Sequence, residues 1–129
     1  MYVSREFDPG ALLGASYLLP GGARVRLRML ATSDARELRA LLALHGDDRD
    51  GLQAARLLRF DPRRRLVLCA RALLDGSEAL VGVGAIDLGA ELPEPHLLVS
   101  DELAAPGVSD LLRGALVGRA LALARTRAA

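Results

Sequence analysis

The chain has 129 residues, of which 51% are hydrophobic, so it can build one sizeable core and is too short for two ordinary domains. Its 17 basic residues, all of them arginine, nearly balance 16 acidic residues, and the net charge is +1. That balance, with only 3% aromatic residues, excludes the basic field and the stacking platforms typical of nucleic-acid binding, and the arginine-only bias indicates a bacterial source with a GC-rich genome.

The first predicted element is an N-terminal arm over residues 1–22, which mixes apolar residues with glycines and prolines without a sustained period. We interpret it as an arm or a short strand ahead of a single domain that spans residues 23–129. The domain opens with a strand from Arg24 to Met29, because apolar residues and arginines alternate strictly there. This strand is expected to be half buried.

A helix is predicted after this strand. Thr32 or Ser33 can cap it, and Asp34 and Glu37 suit the positive end of the helix dipole. A second, weaker helix is expected over residues 50–60. The first helix is predicted to end at Gly46. The residues at helical spacing before it are Leu38, Leu41, Leu42 and His45.

Two β-rich runs, at 66–73 and 79–88, flank a turn at 75–77 and predict a hairpin. Two glycines fall inside the second run. Gly82 and Gly84 either weaken that strand or mark a β-bulge.

The last two elements follow a loop that contains Pro93 and Pro95. A short strand is predicted at His96–Ser100, and a final helix runs from about Ser109 to Arg125. The predicted order is therefore strand, helix, helix, three strands, helix. Three meandering strands followed by a long helix favour an α+β fold with a mostly antiparallel sheet over a doubly wound parallel one.

That order of elements resembles the opening of the GNAT superfamily of N-acetyltransferases. The first strand and helix are matched by "GARVRLRMLATSDARELRALL", and the central hairpin by "LVLCARALLDGSEALVGVGAIDL". The fourth strand of that family and the helix after it are matched by "HLLVSDELAAPGVSDLLRGALVGRAL". The resemblance covers residues 22–127 and rests on pattern and order more than on any rare residue.

The resemblance implies a site for acetyl-CoA. In the family, a loop of Gln or Arg, two variable residues, Gly, one variable residue and then Gly or Ala holds the pyrophosphate with its amides and the helix N-terminus. Here Gly107 keeps the glycine and Ser109 the small residue. By resemblance, Gly107, Val108 and Ser109 contact the pyrophosphate, and the backbone near Leu98 and Val99 binds the pantetheine arm.

The same segment departs from the family pattern in three ways. Ala104 stands where the opening Gln or Arg belongs, Pro106 lacks an amide donor, and Asp110 places a carboxylate at the helix start. A Pro-Gly turn with Ser109 or Asp110 as a helix cap is therefore the favoured alternative to an anion site.

The family fold continues with a fifth strand and further elements that form the second wall of the cofactor cleft, and these have no counterpart in this sequence. The tyrosine that often serves as an acid there has no match either, so no residue is assigned as catalytic. The edge of the strand His96–Ser100 would then be unpaired and would invite association. The N-terminal arm, a second subunit or a separate polypeptide could cover it, and a homodimer through this edge is our first choice.

Other chemistry-bearing residues favour a structural interpretation. Cys69 lies in an apolar strand and behaves as a buried thiol, not a nucleophile. His96 with Glu94 could supply a general base, and Arg63–Arg65 could meet a phosphate, but solvated surface groups are favoured for both. The acidic run at 46–51 has the wrong spacing for calcium, and no metal site is predicted.

The sequence also bears on location. A lone cysteine and a charged N-terminus favour a reduced, cytoplasmic compartment. The most apolar stretch, residues 111–124, is interrupted by Arg113 and Arg119 and is shorter than a membrane span, so no membrane contact is expected.

Two hypotheses about function follow. The first is an acyl-CoA-dependent N-acetyltransferase, with acetyl-CoA as co-substrate and an unknown amine as acceptor, which is either complete in one subunit or completed by dimerisation. The alternative is a non-catalytic GNAT-like remnant that serves as a binding or dimerisation module.

Overall fold

A computed structural model describes residues 16–18, 24–44, 57–74, 76–89, 94–100 and 107–128. The described residues form an α+β domain with a five-stranded antiparallel sheet and two helices. The strands, each paired with the next along the chain, are β1 (Ser16–Leu18), β2 (Arg24–Met29), β3 (Arg65–Leu74), β4 (Ser77–Asp87) and β5 (His96–Val99). A 3-10 turn (Thr32–Asp34) leads into α1 (Ala35–Leu44), and α2 (Val108–Ala128) follows β5.

Most predicted elements coincide with observed ones. The alternating segment at 24–29 is β2, and the final helix begins one residue earlier than predicted and ends at Ala128. Residues 16–18 of the predicted arm form β1, whereas residues 1–15 and 19–22 lie outside the described part of the chain. The predicted helix at 50–60 is described only from residue 57, and Leu57 and Leu58 are helical there.

The cap predicted for the first helix was wrong. Ala31 holds the N-cap position, with no hydrogen bond from a capping side chain, and Thr32 and Ser33 lie within the 3-10 turn with exposed side chains. The carboxylate of Asp34 instead accepts a hydrogen bond from the Ala31 amide at 2.8 Å. The side chain thus reaches back from the third residue of the turn, as in the second half of a capping box.

The two helices cover opposite faces of the sheet, because each strand alternates its side chains between the faces. On one face α2 buries a cluster centred on Leu112 and Leu116, together with Leu27, Leu68 and Ile86. On the other face α1 buries a cluster that includes Leu30, Leu38, Leu41, Leu42, Val67, Cys69 and Val83. The sheet is therefore the middle layer of a three-layer sandwich.

The hairpin of β3 and β4 contains the predicted turn and a bulge. Leu74 pairs with Ser77, so the loop has two residues. Gly76 has a φ of 83°, which residues other than glycine rarely adopt. The pairing shifts between Ala70 and Arg71, which leaves Val81 as the extra residue of β4. The predicted bulge is therefore present, next to Gly82.

Gly82 and Gly84 let α2 lie close on β4. A Cβ at Gly84 would lie 2.7 Å from Leu116 Cδ1 and 2.7 Å from Leu97 Cδ2. A Cβ at Gly82 would lie 3.1 Å from Leu112 Cδ1 and 3.2 Å from Val99 Cγ2. Gly82 is thus the point where Val99, at the end of β5, meets the beginning of α2.

Candidate functional site at the edge of strand β5

β5 is an edge strand of the described sheet, and β4 is its one neighbour there. The described part of the N-terminal arm lies at the opposite edge, where Tyr17 of β1 pairs with Val25 of β2. Residues 16–18 therefore do not cover β5, whereas a cover by the rest of the arm stays a prediction. Residues 1–15 lie outside the described part of the chain.

The backbone groups that β5 turns outward follow from its hydrogen bonds. The amide of Ser100 donates to the Val81 carbonyl at 2.8 Å, so Ser100 directs its amide toward β4. Because successive residues of a strand direct their N–H and C=O groups to opposite sides, Leu98 and His96 also face β4, and Leu97 and Val99 face away. The carbonyl oxygen of Leu98 agrees with this, since it lies 3.4 Å from the Cβ position of Gly82 in β4.

The two residues predicted to bind pantetheine therefore direct their backbone groups to opposite sides of β5. The backbone of Val99 faces the side of β5 that no described strand covers and can bond a ligand there, whereas that of Leu98 is directed into the β4 ladder. Leu97, which was not among the predicted site residues, provides the second outward pair of groups. Predicting the strand from the sequence could not show which of its residues face outward, because that depends on the register with β4.

The start of α2 contains the other three predicted site residues. Gly107 has a φ of 98°, and its carbonyl accepts the Leu111 amide at 2.9 Å, so it belongs to the first hydrogen-bonded turn of the helix. Val108 is fully buried, whereas Ser109 and Asp110 are exposed. Only the first amides of the helix are therefore available to an anion, and the Asp110 carboxylate competes for them. Pro106 lies outside the described residues.

On the α1 face, a network of six charged residues joins α1 and the 3-10 turn before it to three strands. Asp34 is buried, and both its oxygens bond Arg28, at 2.6 and 2.8 Å. Arg71 bridges three carboxylates, with contacts of 3.1 Å to Asp34, 2.8 Å to Glu37 and 2.9 Å to Glu78. Arg26 completes the network at 2.6 Å from Glu78. Three arginines thus balance three carboxylates, which leaves no net charge to attract an anion.

Burial and pairing shift the titration of this network. Burial opposes ionisation of Asp34, but hydrogen bonds from Arg28 and the Ala31 amide outweigh it, and the pKa of the carboxyl lies below its usual 3.8. Burial likewise opposes ionisation of Glu78, and the hydrogen bonds of Arg26 and Arg71 lower its pKa below 4.5. Asp34 and Glu78 are therefore charged at neutral pH.

Glu37 connects the network to the backbone of β4. Its Oε2 accepts the Leu80 amide at 3.0 Å, one residue before the bulge, while Oε1 contacts Arg71. Leu80 directly precedes Val81, whose carbonyl accepts the Ser100 amide. Sequence analysis assigned Glu37 to the helix dipole alone. A charged Arg71 inside the apolar run 66–73 was the available signal that a carboxylate partner lay opposite.

The remaining candidates behave as structural or surface groups. Cys69 is fully buried, and burial raises the pKa of its thiol to about 11. His96 is half buried and Glu94 exposed, and Arg63 and Arg65 contact Asp61 and Asp87 respectively. His45 and the acidic run at 46–51 lie outside the described residues.

Within the described ranges, no group of histidine, cysteine and acidic side chains is arranged to hold a metal ion. None of the helices in the described part of the chain is long and apolar enough to span a membrane. No protein-family model, curated protein or solved structure matches the chain.

Proposed function

We propose that the domain is a GNAT-like, acyl-CoA-dependent N-acetyltransferase that binds acetyl-CoA along the open edge of β5 and at the start of α2. The observation that carries the proposal is the outward backbone of Val99, which lies beside the first turns of α2 over Gly82. An amide-containing pantetheine arm can exchange strand-like hydrogen bonds with such an edge. The resemblance to the GNAT superfamily supplies the identity of the ligand.

The backbone groups available at this site suit the pantetheine end of acetyl-CoA better than its pyrophosphate end. At the pantetheine end, Val99 and Leu97 offer donors and acceptors in the alternation that an amide chain needs. At the pyrophosphate end, the amides of Val108 and Ser109 and the helix dipole attract an anion, while the exposed Asp110 carboxylate repels it. We therefore expect binding through the arm to dominate and the pyrophosphate contact to be weakened.

The chemistry would be direct transfer. The lone pair of the acceptor amine attacks the thioester carbonyl, the new N–C bond forms, the C–S bond breaks, and the thiolate leaves and takes up a proton. The Val99 amide, held outward by the β4 ladder, can polarise that carbonyl as charge develops on its oxygen. Arg71 and the Leu80 amide of β4 occupy the Glu37 carboxylate, and we assign no general base.

Calorimetric titration of the protein with acetyl-CoA and with CoA tests the proposal. Binding tighter than about 100 μM, equivalent to roughly −5.5 kcal/mol, supports it. Asp110→Asn should tighten binding about two- to fivefold, since an acidic group at a helix N-terminus interacts by about 0.3–1 kcal/mol. Asp87→Asn is the matched control, because it removes the same charge from the exposed far end of β4. Undetectable binding to both the wild type and Asp110→Asn would refute the proposal.

A non-catalytic binding or dimerisation module is the second candidate. Asp110 favours it, because its carboxylate lies in the first turn of α2 and repels an anion from that helix end. A stable oligomer that fails to bind either CoA compound would be the expected result for this module.

A further inference from the structure

We infer that β5 pairs with β5 of a second copy of this chain when acyl-CoA is not bound, and that acyl-CoA and the second copy compete for the same backbone groups. The competition rests on the proposed function, whereas the pairing rests on the geometry of β5 alone.

The outward groups of β5 are complementary to themselves in one register. An antiparallel pair exchanges hydrogen bonds only between residues that both face the shared edge, which here are Leu97 and Val99. A two-fold axis through Leu98 places Leu97 of each copy opposite Val99 of the other, and each such pair exchanges both N–H···O bonds. An axis through Leu97 would place Val99 opposite Pro95, which has no N–H to donate. An axis through Val99 would place Leu97 opposite residue 101, outside β5.

The side chains of β5 also favour pairing. Protected edges usually have a charged side chain, a proline or a bulge within the strand, and β5 has none of these between His96 and Val99. All four residues are half buried, so each retains surface that a second copy can cover. In this register, Leu98 meets its symmetry mate on the α1 face, and Leu97 meets Val99 on the α2 face.

The short length of the strand keeps this association weak. Four residues extend over roughly 13 Å, and a contact of that length contributes only part of the ~1,200 Å² that stable complexes bury. A second copy can therefore be displaced by a ligand of modest affinity. Because the register uses all the outward groups of Leu97 and Val99, the dimer occupies the pantetheine edge and does not complete a cleft beside it.

A cysteine scan tests the register. With the axis at residue 98, the two Cα atoms of that position lie ~4.5 Å apart as a non-hydrogen-bonded pair, within disulfide range. Leu98→Cys should therefore give a covalent dimer under mild oxidation. Leu97→Cys is the matched control, since its symmetry mate lies two residues away along the strand, at ~8 Å. The native Cys69 is buried and should not interfere. Equal cross-linking of the two variants would overturn the register.

Light scattering of the wild-type protein over a range of concentrations, with and without acetyl-CoA, tests the competition. We expect a mass that rises toward that of a dimer and returns to that of a monomer when acetyl-CoA is added. A monomer at every concentration would overturn the pairing. Calorimetric binding of acetyl-CoA without any change in mass would overturn the competition and leave the proposed function standing. A dimer that does not bind acetyl-CoA would overturn both the competition and the proposed function, and would leave the pairing.

Discussion

Replacing Gly84 by alanine should destabilise the fold by an amount that the packing of α2 determines. The added Cβ would lie 2.7 Å from Leu116 Cδ1 and from Leu97 Cδ2, and ordinary carbon contacts are about 3.5–4.0 Å. Both methyl groups must therefore move by about 1 Å. Leu97, half buried on β5, can rotate outward, but Leu116 is fully buried, so it moves only if α2 shifts from the sheet.

Overpacking of this kind costs about 1–3 kcal/mol, and removing a glycine from a strand returns about 0.5–1 kcal/mol. We expect a net loss of about 1–2 kcal/mol in the free energy of unfolding, measured by urea denaturation at a constant m value. Gly114→Ala is the matched control on exposed α2 surface, because nothing lies within 4 Å of its Cβ position. It should stabilise the protein by about 0.5–1 kcal/mol. A Gly84→Ala variant as stable as the wild type would show that α2 does not pack as closely as described.

Three further changes test the charged network and the buried thiol. Asp34→Asn should cost roughly 2–4 kcal/mol, because Arg28 and Arg71 then lose their buried carboxylate, and a urea midpoint near that of the wild type would contradict the pairing. Because the folded state lowers the pKa of Asp34, the stability that its carboxylate contributes is complete above about pH 3.8 and is lost as the pH falls further. The difference in free energy of unfolding between wild type and Asp34→Asn should therefore shrink in that acidic range. Burial raises the pKa of Cys69 to about 11, so a thiol reagent at pH 8 should label it only as fast as the protein opens; rapid labelling of the native protein would exclude a closed α1 face.

Periodicity predicted the parts of this fold that depend on neighbouring residues. Strict alternation located β2, and the Asp-Gly-Ser turn between two β-rich runs located the hairpin. The charged network was missed because its members are far apart in sequence: Asp34 and Arg71 are separated by 37 residues and come together only when β2 and β3 pair. An acidic residue at the start of a helix is sufficiently explained by the dipole, so the signal for a partner was confined to the charged Arg71 inside the apolar run 66–73.

The sequence predicted the strand and the helix that form the candidate site, but not which backbone groups of the strand face outward. The sequence located a strand ending near Val99 and a helix beginning near Gly107, and both are present. Which backbone groups of that strand face outward depends on the pairing with β4, and a bulge in β4 affects that pairing. A bulge changes the register by one residue without changing the composition of either strand, so sequence pattern could suggest it at the glycines but could not locate it at Val81.

The bulge at Val81 also limits where the β3–β4 hairpin can gain or lose a residue. It divides β4 into two segments whose alternation is out of phase: Leu80 faces α1, Val81 and Gly82 both face α2, and the odd-numbered residues beyond face α1 again. Deleting one codon here would bring the two segments into phase and turn Val83 and Ala85 toward Leu112 and Leu116, which now pack against glycines. Substitutions at this point affect one contact, whereas a single-residue deletion would exchange the two faces of half a strand. We expect this hairpin to accept changes of length only in the turn at residues 75–76.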